Sequence, residues 1–338
     1  MIDWSKGYLS NYYVSILDPV TWRDTDRLEL ISGSVSRSID GLRESASIEC
    51  SIGEKKVEKW VRVWRNTNQK GERSHDAIFT GLATTPKEKI EGIIKNDSYE
   101  CYSVLKPAED VDLSRGWYAT PGAIGSDLIK QLLTSSTPAP VVCAEDSPTL
   151  EDYIIAEDRE TNLSMVDKIL SSINWRLRID GEGTIFVGPY ESEPVAVFDP
   201  YELDILEPTI SIAADWFSAP NVFCAISETG ITATAVDEDP DSPLSTTNRK
   251  REVWMTESGV TLASNETIEQ YASRRLEEEQ RVEKTAEYTR RYVPNVFPGD
   301  VVLLHYPEQG LNGKFMVWSQ NVDLSHEAPT DEEVVSYE

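Results

Sequence analysis

The chain has 338 residues, of which 39% are hydrophobic, so we expect two or three domains with apolar cores. Its 59 acidic and 32 basic residues give a formal net charge of -27, which argues against nucleic acid or an anionic membrane surface as a tightly held partner. The N-terminal residues lack a basic segment followed by an apolar one, and no apolar run approaches the ~18 residues that span a bilayer, so we expect neither a signal peptide nor a membrane span.

The first hundred residues predict short strands separated by turns. Residues 45–52 alternate strictly between an apolar and a polar face, and the polar face consists of Ser45, Ser47, Glu49 and Ser51. Residues 59–65 alternate in the same way, with Trp60 and Trp64 opposite Val61 and Val63. A polar turn is predicted over 66–71 and further strands over 77–82 and 99–105. This spacing favours a small barrel or sandwich.

The middle of the chain mixes helices and strands. Thr120 and Pro121 predict a helix N-terminus, followed by an apolar stripe over 124–132. Residues 135–140 are rich in Ser, Thr and Pro and predict a linker, after which apolar residues at helical spacing predict a second helix over 162–173. Asp180 and Gly181 then predict a hairpin between 175–179 and 184–187.

From about Leu206 the pattern returns to β. A hairpin is predicted around a turn at 228–230, followed by an acidic loop over 237–248 and one long helix over 265–283. A strand follows over 301–306, then a turn at Asn312 and Gly313, a last strand over 314–324 and an acidic tail over 331–338. In that last strand, one face is predicted to hold Met316, Trp318, Gln320, Val322 and Leu324.

These elements predict an α+β, mainly β chain in three parts. They are a first β-barrel domain over 1–106, an α+β domain over 107–206, and a second β-barrel domain over 207–338 that carries the helix at 265–283. The four cysteines are far apart and without CxxC spacing, so we expect buried free thiols.

Catalytic motifs are missing from the sequence. The three histidines, His75, His305 and His326, have no ligand-like neighbour at helical spacing, and neither a G-x-S-x-G elbow nor a phosphate-binding loop occurs. We therefore expect a protein that is not an enzyme and that uses no cofactor.

One acidic segment has the spacing of a calcium ligand set. Asp237, Asp239 and Asp241 resemble the start of an EF-hand loop, but Ser242 replaces the glycine of the sharp bend and Asn248 takes the place of the bidentate glutamate. We therefore expect no metal, and interpret the segment as a solvated acidic loop.

Nine tryptophans in a β-rich chain leave two interpretations open. Core packing and subunit contacts account for most tryptophans in proteins, and the interface candidates are Trp22, Trp60, Trp64 and Trp117. The alternative is a carbohydrate-binding or adhesin module that stacks sugars on these rings. An acidic glycoside hydrolase is the third possibility, although no motif selects its two carboxylates.

Three blocks of sequence together resemble the baseplate or tail hub family of tailed phages and related contractile injection machines. The first block comprises 77–82 and 99–107, and the second 162–170 and 175–187. The third runs from 220–222 through the stripe Ile268, Ala272 and Leu276 to 298–302 and 313–317. The blocks span most of the chain in the order of the family.

The resemblance implies a structural role within an assembly. Such hubs are homotrimers whose two tube-like barrels per chain form a ring that joins the tail tube protein to a spike or fibre protein, beside other baseplate proteins. DNA passes through the ring without specific binding. The subunit is expected in the cytoplasm of the bacterial host during assembly and at the virion tail tip or baseplate afterwards. We expect the face Ser45, Ser47, Glu49 and Ser51 to line the bore, since an acidic lumen repels phosphates.

Overall fold

The structure is a computed structural model that describes residues 2–4, 6–51, 58–91, 94–199, 209–214, 216–227, 230–260, 267–280, 284–326 and 328–337. Several sequence-based expectations lie outside these ranges. They concern Ile52, Leu206, the turn residues 228 and 229, and the helix ends 265–266 and 281–283.

The described chain is mainly β, with short helices. The strands are β1 (Leu9–Leu17), β2 (Asp24–Ser38), β3 (Glu44–Ser51), β4 (Lys59–Gln69), β5 (Glu72–Ala83), β6 (Lys87–Glu91), β7 (Ile94–Ser103), β8 (Tyr118–Ala119), β9 (Val141–Cys143), β10 (Ile154–Ile155), β11 (Trp175–Ile179), β12 (Ile185–Pro189), β13 (Ala196–Phe198), β14 (Ser211–Ala214), β15 (Val222–Ser227), β16 (Thr232–Val236), β17 (Trp254–Val260), β18 (Lys284–Arg291), β19 (Val301–Tyr306), β20 (Leu311–Asp323) and β21 (Pro329–Ser336). The helices are α1 (Lys106–Asp110), α2 (Gly125–Ser136), α3 (Asn162–Ile173), α4 (Thr246–Arg249) and α5 (Ile268–Glu279). The predicted α+β, mainly β class is confirmed.

The chain forms two compact units. Unit 1 comprises Met1–Ile210 and Glu287–Glu338, and unit 2 comprises Ser211–Ala286. The predicted domain division at 106 and 206 stays a prediction. No helix in the described ranges is long and apolar enough to cross a membrane.

Six strands of unit 1 pair in a closed antiparallel circuit. The order is β1–β4–β5–β7–β3–β2, and β2 pairs again with β1. The side chains on the inner side of these strands are apolar and buried, among them Val14, Val35, Ile48, Val63 and Phe79. Alternation over residues 45–51 and 59–65 is confirmed, because Ala46, Ile48 and Cys50 are buried, as are Val61 and Val63.

The hairpin β4–β5 is longer than the sequence predicts. Residues 66–69 continue β4 instead of forming a turn, and the reversal is confined to Lys70 and Gly71, which follow the pair Gln69–Glu72. Both turn residues have positive φ, 49° and 95°, as a two-residue type I′ turn requires. The strands therefore continue for four residue pairs beyond Arg65, so Asn66 and Asn68 lie on a sheet.

A second core in unit 1 lies around α2, α3 and the hairpin β11–β12. Thr161 and Ser164 form a reciprocal capping box at the start of α3, which ends at Asn174 in the left-handed conformation. The helix and the Asp180–Gly181 hairpin are confirmed. The predicted N-cap of the preceding helix is wrong, because Thr120 and Pro121 lie in a turn and α2 begins at Gly125 after Ile124.

The C-terminal strands correct three expectations. Asn312 and Gly313 lie within β20, and the chain reverses at the 3₁₀ turn Pro307–Gln309 instead. A register irregularity between Val317 and Ser319 switches the buried face, so Met316 and Trp318 do not share a face with the buried Gln320, Val322 and Leu324. Residues 329–336 form strand β21 beside β20, so the predicted acidic tail is wrong.

In unit 2, α5 packs on the sheet β16–β15–β17. The predicted stripe Ile268, Ala272 and Leu276 is buried against Phe223 and Ala225. Helix α5 begins after the capping residue Thr267 and covers 12 residues. Gln280, which the prediction placed inside the helix, is its C-cap. The hairpin β15–β16 is confirmed, and β17 adds to β15 in parallel.

Candidate functional site

A polar face extends over β2, β3 and β7 on the side away from the core. Cross-strand pairs align Ser34, Ser47 and Glu100 in one row and Ser36, Ser45 and Tyr102 in the next. Strand β20 extends both rows, since Ser34 pairs with Asp323 and Ser36 with Asn321. These paired positions hold hydroxyl, amide and carboxylate groups without a lysine or arginine.

The sequence predicted three of these side chains. Ser45 and Ser47 are exposed and Glu49 is half-buried, while the side chain of Ser51 lies outside the described part of the chain. The Glu49 carboxylate accepts hydrogen bonds from Asn96 Nδ2 at 2.9 Å and Ser32 Oγ at 3.3 Å. The face is therefore an ordered polar surface, and the assignment of Ser45, Ser47, Glu49 and Ser51 to a bore stays a prediction.

The four predicted interface tryptophans are half-buried and contact other parts of the chain. The rings of Trp22 and Trp60 lie 5.3 Å apart, and both pack with Trp117 against the core around α2 and α3. Trp22 Nε1 donates to the carbonyl oxygen of Glu182 at 3.1 Å. Trp64 stacks on His75 with ring centres 4.2 Å apart. Their role in an interface stays a prediction.

The large exposed apolar side chains lie elsewhere. On the two-residue strands β8 and β10, Tyr118 pairs directly with Ile155, and these side chains are 61% and 63% exposed. With Tyr153, which is equally exposed, they form a surface that we call the ribbon patch. Two-residue strands are too short to show a period, so no sequence pattern indicates this patch. In unit 2, the exposed aromatic residues include Trp216 and Trp254.

The ribbon patch has acidic neighbours on both sides along the chain. Glu151 and Asp152 precede Tyr153, and Glu157 and Asp158 follow Ile155; all four are exposed. Apolar surface left in water is costly at ~25 cal/mol per Å², and contiguous exposed patches mark interaction sites. The arrangement can therefore bind a partner that covers the apolar residues and presents basic groups at the rim.

In the acidic loop, aspartate side chains accept hydrogen bonds from backbone N–H groups of the same loop. Asp237 Oδ1 accepts from the backbone N–H of Asp239, and Asp239 Oδ1 accepts from that of Asp241, at 3.0 and 2.9 Å. Asp237 Oδ2 also accepts from Ser242 Oγ at 2.6 Å. No group of three or more His, Cys, Asp or Glu side chains is arranged to hold a metal ion in the described ranges.

A buried ion pair joins β18 to β21. Arg290 Nε donates to Glu332 Oε1 at 3.0 Å, and the other carboxylate oxygen accepts from Gln320 Nε2 at 2.6 Å. Tyr288 donates its hydroxyl proton to Glu332 Oε1 at 2.6 Å. Burial and the adjacent carboxylate hold the pKa of Tyr288 well above its usual range. The network fixes the C-terminal strand and leaves the carboxylate inaccessible to a substrate.

Comparison with solved structures finds the same architecture in three tail proteins. The tail protein from Neisseria meningitidis MC58 superposes with a TM-score of 0.66 at 15% identity, over 98% of this chain and 97% of that one. The chain has a tail-protein fold. The 43 kDa tail protein of prophage MuSo2 from Shewanella oneidensis gives 0.64 at 12% identity, over 96% and 97%. The prophage tail protein gp18 from Listeria monocytogenes EGD-e gives 0.50 at 12%, over 97% and 94%.

The likeness to these tail proteins rests on the fold. No family model matches the sequence, and no curated protein matches it either. At identities of 12–15%, the similarity to these three proteins shows the fold alone.

Proposed function

We propose that the chain is a non-enzymatic structural subunit of a phage-type tail baseplate or tail tip. The observation that carries this proposal is the tail-protein fold, which extends over 98% of this chain and 97% of the tail protein from Neisseria meningitidis. Nearly the whole of both chains corresponds, so the similarity is not confined to one domain.

In this proposal the subunit forms a homotrimeric ring at the virion tail tip. The closed circuit β1–β4–β5–β7–β3–β2 acts as the first tube-like barrel, and the strands of the predicted domain 207–338 supply the second. The domain 107–206 carries the ribbon patch. The ring joins the tail tube protein to a spike or fibre protein and contacts other baseplate proteins.

The polar face on β2, β3 and β7 is the surface that lines the bore. Its serines and carboxylates, among them Ser47, Glu49 and Glu100, carry no positive charge that would retain phosphate groups. DNA would therefore pass the ring without binding to it. A cryo-EM reconstruction of the ring in which this face points outward would contradict the assignment.

The ribbon patch supports assembly with a partner. An interface that buries it would recover the free energy that Tyr118 and Ile155 lose in water. Light scattering of the full chain, alone and co-expressed with tube and spike proteins, should give the mass of three 38.0 kDa chains or of a mixed complex. A monomer in both conditions would contradict the proposal.

A charge placed in the ribbon patch tests its role directly. Ile155→Asp should reduce the assembled fraction and leave the melting temperature of the free chain within ~2 °C, because an exposed side chain contributes little to folding. The matched control is Val20→Asp, at an apolar residue that is 90% exposed on a turn outside the patch. If both variants assemble like the unaltered chain, the patch is not an interface.

A further inference from the structure

The outer face of the hairpin β4–β5 and its neighbour β1 carries a regular array of polar side chains. Leu9 pairs with Asn68 and Asn11 with Asn66 across β1 and β4. The same two asparagines pair with Arg73 and His75 across β4 and β5. Because paired residues lie on the same face of a sheet, these six side chains form two parallel rows, which we call the amide array.

The amide array borders an open groove of about 540 Å³. This volume lies within the ~300–1,000 Å³ typical of small-ligand sites. Besides the array, the groove is lined by His326 and by the residues that alternate with the array on the strands, of which Ser10 and Thr67 have buried side chains. His326 Nδ1 donates to the carbonyl oxygen of Ser10 at 2.8 Å, which fixes its ring beside the groove.

The charge of the groove is opposite to that of the chain. None of the described residues that line it is Asp or Glu, although the chain has 59 acidic residues and a net charge of -27. Arg73 is exposed and makes no hydrogen bond or ion pair with another described residue. Of the carboxylates on β5, Asp76 binds Arg65 and Ser74, and Glu72, next to Arg73, also has a partner within the chain. An anionic group would therefore meet the Arg73 guanidinium and no carboxylate among the described residues that line the groove.

The hydrogen-bonding groups of the array are only partly used within the chain. Asn66 Nδ2 donates to Asn11 Oδ1 at 3.0 Å, which leaves Asn66 Oδ1 and Asn11 Nδ2 facing solvent. Asn68 Oδ1 accepts from the backbone N–H of Gly71 at 3.3 Å, which leaves its amide protons free. Side-chain amides offer a donor and an acceptor side by side, and sugar hydroxyls both donate and accept.

Two other ligand classes fit the groove less well. A peptide needs apolar pockets for its side chains, and Leu9 is the only apolar residue among the described lining residues. Single-stranded DNA needs several cations and free aromatic faces. Here Arg73 is the only permanent cation among those residues, and the ring of Tyr13 nearby is covered by Arg27 at 3.6 Å.

We propose that this groove binds an acidic glycan. Asn66, Asn68 and Asn11 hydrogen-bond the hydroxyl groups of successive sugar units along the rows. Arg73 pairs with a carboxylate or phosphate substituent, since its guanidinium forms two parallel hydrogen bonds to such groups. The subunit would then contact a polysaccharide of the cell surface in addition to its structural role.

Titration calorimetry on the full chain tests the proposal with three probes. They are a hexamer of galacturonic acid, a neutral hexamer of glucose, and a hexamer of thymidylate. We expect the acidic sugar to bind, and the neutral sugar and the oligonucleotide to bind at least ~10-fold more weakly, because each lacks one of the two recognised groups.

Two variants and a control assign the binding to the groove. Arg73→Ala and Asn66→Ala should each weaken binding of the acidic hexamer by ~10-fold or more, since each removes a hydrogen-bonding group. Arg115→Ala, at an exposed arginine outside the groove, should leave it unchanged. Lack of binding of the acidic sugar overturns the proposal. So does equal binding of the other probes, or an equal loss in Arg115→Ala. Because the assay needs no assembly, its outcome is independent of the structural role.

Discussion

Removal of the Glu332 carboxylate should destabilise the fold strongly. This carboxylate accepts hydrogen bonds from Arg290, Tyr288 and Gln320, and both side chains of the ion pair are buried. Glu332→Ala leaves the Arg290 guanidinium buried without a counter-charge. It also removes the acceptor of the Tyr288 hydroxyl, which costs ~1–3 kcal/mol when left unpaired in the interior, whereas Gln320 Nε2 still donates to the Val296 carbonyl oxygen.

The total loss follows from the burial of the pair. Removing one partner of a buried, hydrogen-bonded ion pair costs ~3–5 kcal/mol, because the remaining charge cannot reach water. For unit 1 this corresponds to a fall in melting temperature on the order of 10 °C. Replacing both charges in Arg290→Met with Glu332→Leu should recover most of the loss, since no buried charge remains.

Urea unfolding followed by tryptophan fluorescence measures the effect. The control is Asp331→Ala on the same strand, whose exposed carboxylate accepts from Thr289 Oγ1 at 2.6 Å. This variant should change the free energy of unfolding by less than ~0.5 kcal/mol. If Glu332→Ala costs no more than Asp331→Ala, the reasoning from burial is wrong.

Two further predictions concern packing and thiol chemistry. A Cβ at Gly181 would lie 1.8 Å from the carbonyl oxygen of Ala77, so Gly181→Ala should lower the free energy of unfolding by ~1–3 kcal/mol in urea. The matched control Gly7→Ala, with no atom within 4 Å, should not. Burial raises the pKa of the Cys50 thiol to about 12, so its reactive thiolate is scarce below that pH. At pH 8 iodoacetamide should modify the half-buried Cys143 and Cys224 in the folded protein and Cys50 only after unfolding. Equal rates for Cys50 and Cys143 in the folded protein would contradict this.

The sequence predicts correctly those strands, helices and turns whose pattern depends only on residues close together in the chain. The alternation at Ala46, Ile48 and Cys50 and the helical spacing that ends at Ile173 each reflect one buried face. The hairpin at Asp180 is equally local, because its carboxylate accepts from the N–H groups of the turn itself. In such segments sequence and fold agree without information from the rest of the chain.

Two of the expectations that failed depend on distant partners. The local sequence of residues 331–338 predicts an acidic tail because it does not show the partner of Glu332. That partner is Arg290, which lies 42 positions earlier and neutralises the Glu332 charge. The switch of faces near Trp318 depends on a register irregularity with β21, which alternation alone does not reveal. The amide array was missed because its rows join side chains on three strands that turn signals had separated.

The pairing of β2 with β20 has a consequence for synthesis of the chain. Ser36 and Asn321 are 285 positions apart, and the hydrogen bond between them cannot form before both have left the ribosome. At ~5–20 residues per second this takes roughly 15–60 s, during which the edge of β2 has no neighbour on that side. During synthesis, the edge of β2 that later pairs with β20 therefore stays unpaired for much of the time. Ribosome stalling in the last third of the message should increase aggregation more than stalling near its start.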